Sequence, residues 1–65
     1  MTDLRRERQS WDAYLDTGSM KKAAARLGIH EITVRKHIAV LRETYDVTTN
    51  AQLADALARE GRMVG

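Results

Sequence analysis

The 65-residue chain has no cysteine, no proline and no phenylalanine, and aromatic residues are only 5% of it. Without cysteine there is neither a disulfide framework nor a thiolate metal site, so the composition calls for no oxidising compartment. Without proline there is no fixed kink. The four glycines fall mostly where breaks between helices are expected, a pattern of helices joined by short turns. Apolar runs are only a few residues long, which excludes a transmembrane helix and a secretory leader. No nucleophile is paired with a base, no two carboxylates are set for acid–base work and no phosphate loop is present, so an enzyme is a poor reading. No catalytic residue and no cofactor are expected.

What remains is ordinary for a globule, with 43% hydrophobic and 31% charged residues. Residues 1–65 have room for one domain. A chain this short buries only about 60% of the surface it exposes when unfolded, so its stability is thin and an oligomer would help. The net charge of +2 conceals a segregation. Residues 19–42 hold Lys21, Lys22, Arg26, Arg35, Lys36 and Arg42 against Glu31 alone, while both flanking thirds are net acidic. Charge gathered in this way suits a surface that faces a polyanion.

Four helices are expected, over about 4–17, 20–27, 31–45 and 50–60. In the first, Leu4, Trp11 and Leu15 share one stripe with Tyr14 beside it, and Thr2 or Asp3 could cap it. Gly18 ends it, and Ser19 is placed to cap the second helix, which turns Met20, Ala23, Ala24 and Leu27 inward. In the third, Val34, Ile38, Leu41 and Tyr45 recur at core spacing, and the opposite face carries Ile32, Arg35, Lys36 and Ala39. Val47 is expected to tuck inward from the following loop. Asn50 is expected to cap the last helix and Gly61 to break it. Trp11 belongs to the core.

The two central helices are separated by the three residues "GIH", the spacing of a helix-turn-helix, whose second helix enters the DNA major groove. A steep crossing needs a small side chain at the contact, and Ala24 supplies it. The turn needs a residue tolerant of positive φ, and Gly28 supplies that. Ile29 and Val34 close the wedge between the helices.

The stretch from Gly18 to Val64 resembles the LuxR/GerE-type DNA-binding domain. The resemblance rests on Gly18, Ser19, Ala24, Leu27, Ile29, Thr33, Val34, Arg35, His37, Ile38, Leu41, Val47, Leu53 and Gly61, and the block "TVRKHI" is its most specific part. It departs from that pattern at His30, where a capping Ser or Thr is usual, and at Thr49–Asn50, where an Asn–Arg pair is usual. The segment "AAARLGIHEITVRKHI" alone is also similar to Fis-type and PucR-type tails, and the fourth helix favours LuxR/GerE. The resemblance implies an all-α, four-helix bundle containing a helix-turn-helix. It implies a sequence-specific regulator of transcription that binds double-stranded DNA in the cytoplasm of a bacterial cell or phage-infected host. No receiver or ligand-binding domain precedes the DNA-binding part in this chain, so any switch is expected to come from expression level or from a partner.

The expected base contacts are Ile32, Arg35, Lys36 and Ala39. Arginine can bond guanine O6 and N7 together, and an isoleucine can touch a thymine methyl. Ala39 is shorter than the polar residue many relatives carry there. Glu31 is read as a complement to the helix dipole. Thr33 corresponds to a family threonine that bonds a phosphate, and Lys21, Lys22, Arg26 and Arg42 are backbone clamps. His37, beside the core stripe, is read as structural or phosphate-adjacent. His30 and His37 have no carboxylate arranged around them, so no metal site is expected. On the last helix Ala51, Ala54 and Ala58 form a small-residue stripe, and the resemblance implies a homodimer through it. The rival reading is an adaptor that binds RNA polymerase, a sigma factor or another regulator through the same basic face.

Overall fold

The computed structural model describes residues 4–63, which form four helices and no strand. They are α1 (Arg5–Thr17), α2 (Met20–Leu27), α3 (Glu31–Thr44) and α4 (Asn50–Met63). The chain is therefore all-α. The caps proposed at Thr2 and Asp3 lie outside the described residues. Leu4 occupies the N-cap of α1 and offers no side-chain bond there.

The joints between helices are built from local hydrogen bonds. Gly18 follows α1 at φ 75° and returns its N–H to the Tyr14 carbonyl (2.8 Å). Ser19 Oγ then accepts the Lys22 N–H and caps α2. After α2, Gly28 sits at φ 69° and donates to the Ala25 carbonyl, while Ile29 N–H reaches Ala24 (3.0 Å). That pair of bonds is a Schellman motif, which needs a left-handed residue at its centre. The same motif recurs after α3 with Asp46 at φ 55°. Its N–H goes to Glu43, and that of Val47 goes to Arg42 (2.9 Å). Aspartate is among the few side chains that enter this region readily.

The start of α4 differs from expectation. Thr49, rather than Asn50, is its cap. The Thr49 hydroxyl accepts the Gln52 N–H (3.1 Å), and Gln52 Oε1 accepts the N–H groups of Thr49 (3.2 Å) and Thr48 (2.9 Å). This is a reciprocal capping box, which satisfies more orphan donors than one asparagine could. Asn50 is thereby released to accept from Arg42 Nη1 (2.6 Å), joining the last turn of α3 to the first of α4. Gly61 does not break α4, which continues to Met63. An interior glycine costs a helix only about 1 kcal/mol and ends it only where the chain turns left-handed.

The core comprises Trp11 and Ala13 of α1, Ala23 and Ala24 of α2, Val34, Ile38 and Leu41 of α3, and Leu53 of α4. Helix α3 lies against all three other helices, and α1 and α2 also pack on each other. Ile29, Val47 and Leu57 are half-buried against this cluster, as is Tyr45 at the end of the α3 stripe. Leu15 departs from expectation, since it is 56% exposed while Ser10 and Ala13 are buried. Two helices pack on α1, and their close approach falls on its small residues, so the inward face turns toward Ser10, Ala13, Tyr14 and Thr17. Leu15 lies at its edge.

The backbone of α4 lies close to that of α3 alone, and a polar clasp carries it across to α1. Arg8 Nη1 of α1 donates to Glu60 Oε1 (3.0 Å), and the Tyr45 hydroxyl donates to the other oxygen of the same carboxylate. These bonds, Tyr45 first and Arg8 second, hold the Glu60 carboxyl below its usual value of 4.5. A carboxylate stabilised in this way supports the fold above that value, and the support is lost as the pH falls below it. Glu60→Gln should therefore lower the urea midpoint at neutral pH. The wild-type and variant midpoints should draw together as the pH is lowered below 4.5 and the carboxylate is protonated. A gap that stays constant across the titration would show that the charge of Glu60 contributes nothing to the clasp.

Candidate nucleic-acid interface

The basic residues of the central third are carried by α2 and α3, on either side of the 28–30 turn. Ala23 and Ala24 are almost wholly buried, and so are Val34 and Ile38 of α3. Methyl-sized side chains on α2 let α3 come close without a cavity between them. Burial of Val34, Ile38 and Leu41 sets the rotation of α3, and the residues half a turn away must then face outward.

Ile32, Lys36, Ala39 and Glu43 run along that outer crest, at i, i+4, i+7 and i+11. Ile32 is 64% exposed, Lys36 and Glu43 are exposed, and Ala39 is half-buried. Arg35 flanks the crest with its side chain 64% exposed, and its Nη2 donates to Glu31 Oε2 one turn earlier (2.6 Å). Glu31 thus has two roles, since it sits in the first turn, where a negative charge suits the helix dipole, and it also holds Arg35. Such an exposed pair is worth at most about 1 kcal/mol, so Arg35 is easily given up to a stronger acceptor. His30 occupies the N-cap without a side-chain bond.

The other expected phosphate contacts are spread over three settings. Lys21 and Lys22 are exposed on the first turn of α2, and no hydrogen bond or ion pair engages their side chains among the described residues. Arg26 is exposed and forms a short ion pair with Asp16, which ties the last turn of α2 to α1. Arg42 is half-buried and bonded to Asn50, so it fastens α4 in addition to adding charge. Thr33 and His37 are half-buried on one flank of α3, and the Thr33 N–H is already used by the His30 carbonyl (3.0 Å). Ala51, Ala54 and Ala58 are all exposed on α4.

Two features were missed in the sequence. The clasp of Arg8, Tyr45 and Glu60 joins residues far apart in the chain, and nothing in local spacing announces it. The second is a bond of 2.6 Å between Ser10 Oγ and His37 Nδ1. Ser10 has no exposed surface, so this hydroxyl has no path to a substrate and serves to hold the imidazole. A polar residue in the middle of an inward helix face was the available signal. No group of three His, Cys, Asp or Glu side chains could hold a metal among the described residues, and no described helix is long and apolar enough to cross a membrane.

Because Ile32, Arg35 and Lys36 are exposed and belong to no part of the core, Ile32→Ala, Arg35→Ala and Lys36→Ala should each move unfolding stability by no more than about 1 kcal/mol in urea titrations. A loss above about 1 kcal/mol in any of them would mean that the face is structural. Comparison of the chain with protein-family models, with curated proteins and with solved structures gives no match, so the reading of this surface stands on its own residues.

Proposed function

We propose that the chain binds double-stranded DNA as a small regulator of transcription, with α2, the 28–30 turn and α3 acting as a helix-turn-helix of the LuxR/GerE type. The observation that carries this reading is the α3 crest. Ile32, Arg35 and Lys36 stand exposed, while the opposite side of the same helix is anchored by three fully buried residues. A helix held from behind and bare in front can enter a major groove, which is wide enough for one α-helix.

Arg35 exchanges Glu31 for a guanine edge, Ile32 meets a thymine methyl, Lys36 adds a second polar contact and Ala39 allows close approach. Lys21, Lys22, Arg26, Thr33, His37 and Arg42 hold the phosphates beside them. The open alanine face of α4 gives a weak homodimer, so the operator has two half-sites about one helical turn apart. The partners are duplex DNA and a second copy, and the protein works in the cytoplasm.

Selection of bound duplexes from random DNA tests the reading. The wild type should enrich a defined site, and Arg35→Ala should lose preference at one base position at a cost of about 1–3 kcal/mol. The log–log salt slope of the wild type should be about −4 if four to five phosphates are neutralised. No enrichment and no salt slope, together with a stable complex with RNA polymerase or a sigma factor, would replace it with the adaptor reading.

The dimer is tested separately. Ala54→Glu should abolish cooperative binding to a two-half-site duplex while leaving affinity for a single half-site and the helical circular dichroism signal unchanged. Retained cooperativity removes the α4 interface.

A further inference from the structure

A cleft of about 260 Å³ opens between α1 and the flank of α3, beside the turn that leads into α3. Its polar lining is Arg6 and Gln9 from α1, Ser10 beneath them, and Thr33 and His37 from α3. No carboxylate lines it. Two larger clefts each carry acidic groups, Asp12 and Asp16 in one and Asp46, Asp55 and Glu60 in the other. The charge of this cleft is therefore of one sign, even though α1 belongs to the net-acidic third of the chain.

The Ser10–His37 bond sets what the imidazole offers. Ser10 is fully buried, and its hydroxyl has no other acceptor among the described residues. The imidazole tautomer that gives this buried hydroxyl an acceptor is the one in which Ser10 donates to Nδ1. In the neutral ring the remaining proton is then on Nε2, which becomes a donor beside the cleft. Arg6, the Gln9 amide, the Thr33 hydroxyl and the His37 ring can all donate. A cluster of donors with no acceptor charge among them fits an oxyanion, and the guanidinium makes the bond charge-assisted.

We infer that this cleft seats one phosphate of the DNA backbone, with Arg6, Gln9, Thr33 and His37 as its donors and Ser10 as the residue that positions the imidazole. The inference rests on the DNA reading above and adds α1 to the surface that holds the duplex. Thr33 and His37 lie on the flank of α3 rather than on its crest, where a phosphate strand bordering the groove would pass. The seat supplies register and affinity but carries no sequence information.

The test is a salt titration of binding to the selected duplex and to a scrambled one. Arg6→Ala, at an exposed position, should weaken both by about tenfold, the worth of one charge-assisted hydrogen bond. It should also make the slope shallower by about 0.9 while leaving the base preference unchanged. Ser10→Ala should weaken binding in the wild-type background and have no further effect once His37→Ala is present. In the free protein, the imidazole nitrogen shifts of His37 should show Nε2 protonated and should change in Ser10→Ala. Wild-type slope and affinity in Arg6→Ala would overturn the seat while leaving the DNA reading in place. Additive losses for Ser10 and His37 would overturn the positioning role. A wild type that binds no duplex at all would remove both the seat and the reading on which it rests.

Discussion

Burial of Val34, Ile38 and Leu41 along one side of α3 is the constraint on which the rest of the molecule depends. These three side chains have no exposed surface, and α3 is the one helix lying against each of the others. In a chain of 65 residues the net stability is a small difference between large terms, and the described residues form no second core to compensate for losing this one. Fixing that stripe also fixes the rotation of α3. Every outward residue, from Ile32 to Glu43, is placed by what is buried behind it.

The other helices brace α3 by different means. Helix α2 approaches through Ala23 and Ala24, so it gives rigidity by closeness rather than by bulk. Helix α1 contributes the one large aromatic of the core, Trp11, together with a buried hydroxyl that bonds His37. Over residues 50–60, α4 buries only Leu53 completely, and polar links add to its hold, Arg42 to Asn50 at one end and Glu60 to Arg8 and Tyr45 at the other. Such links are cheap to break one at a time, which makes α4 the least firmly held helix of the bundle. Its exposed alanines cost nothing to leave uncovered and equally little to cover.

Much of this was legible in the residues. The i, i+4, i+7 recurrence of Val34, Ile38 and Leu41, the Gly28 turn, the Ser19 cap and the outward place of Ile32, Arg35 and Lys36 all follow from helical periodicity and backbone stereochemistry. Leu15 shows the limit. Hydropathy assigned it to the core, but the approach of two helices to the small side chains of Ser10 and Ala13 turned it outward. Thr49 shows a second limit, since a capping box requires Thr49 and Gln52 to act together and Asn50 alone was the simpler reading.

Residues a few positions apart are governed by the pitch of the helix, and for them the chain alone was a sufficient guide to helix type, the turns at Gly18 and Gly28 and the segregation of charge. Partnerships between residues distant along the chain were not accessible in that way. Ser10 meets His37, Arg8 meets Glu60 and Asp16 meets Arg26 only because packing brings their helices side by side. Each of those pairs depends on how two helices rotate and lean against one another, which is settled by the volume of the side chains between them. That is a property of the assembled core, which no local stretch of sequence contains.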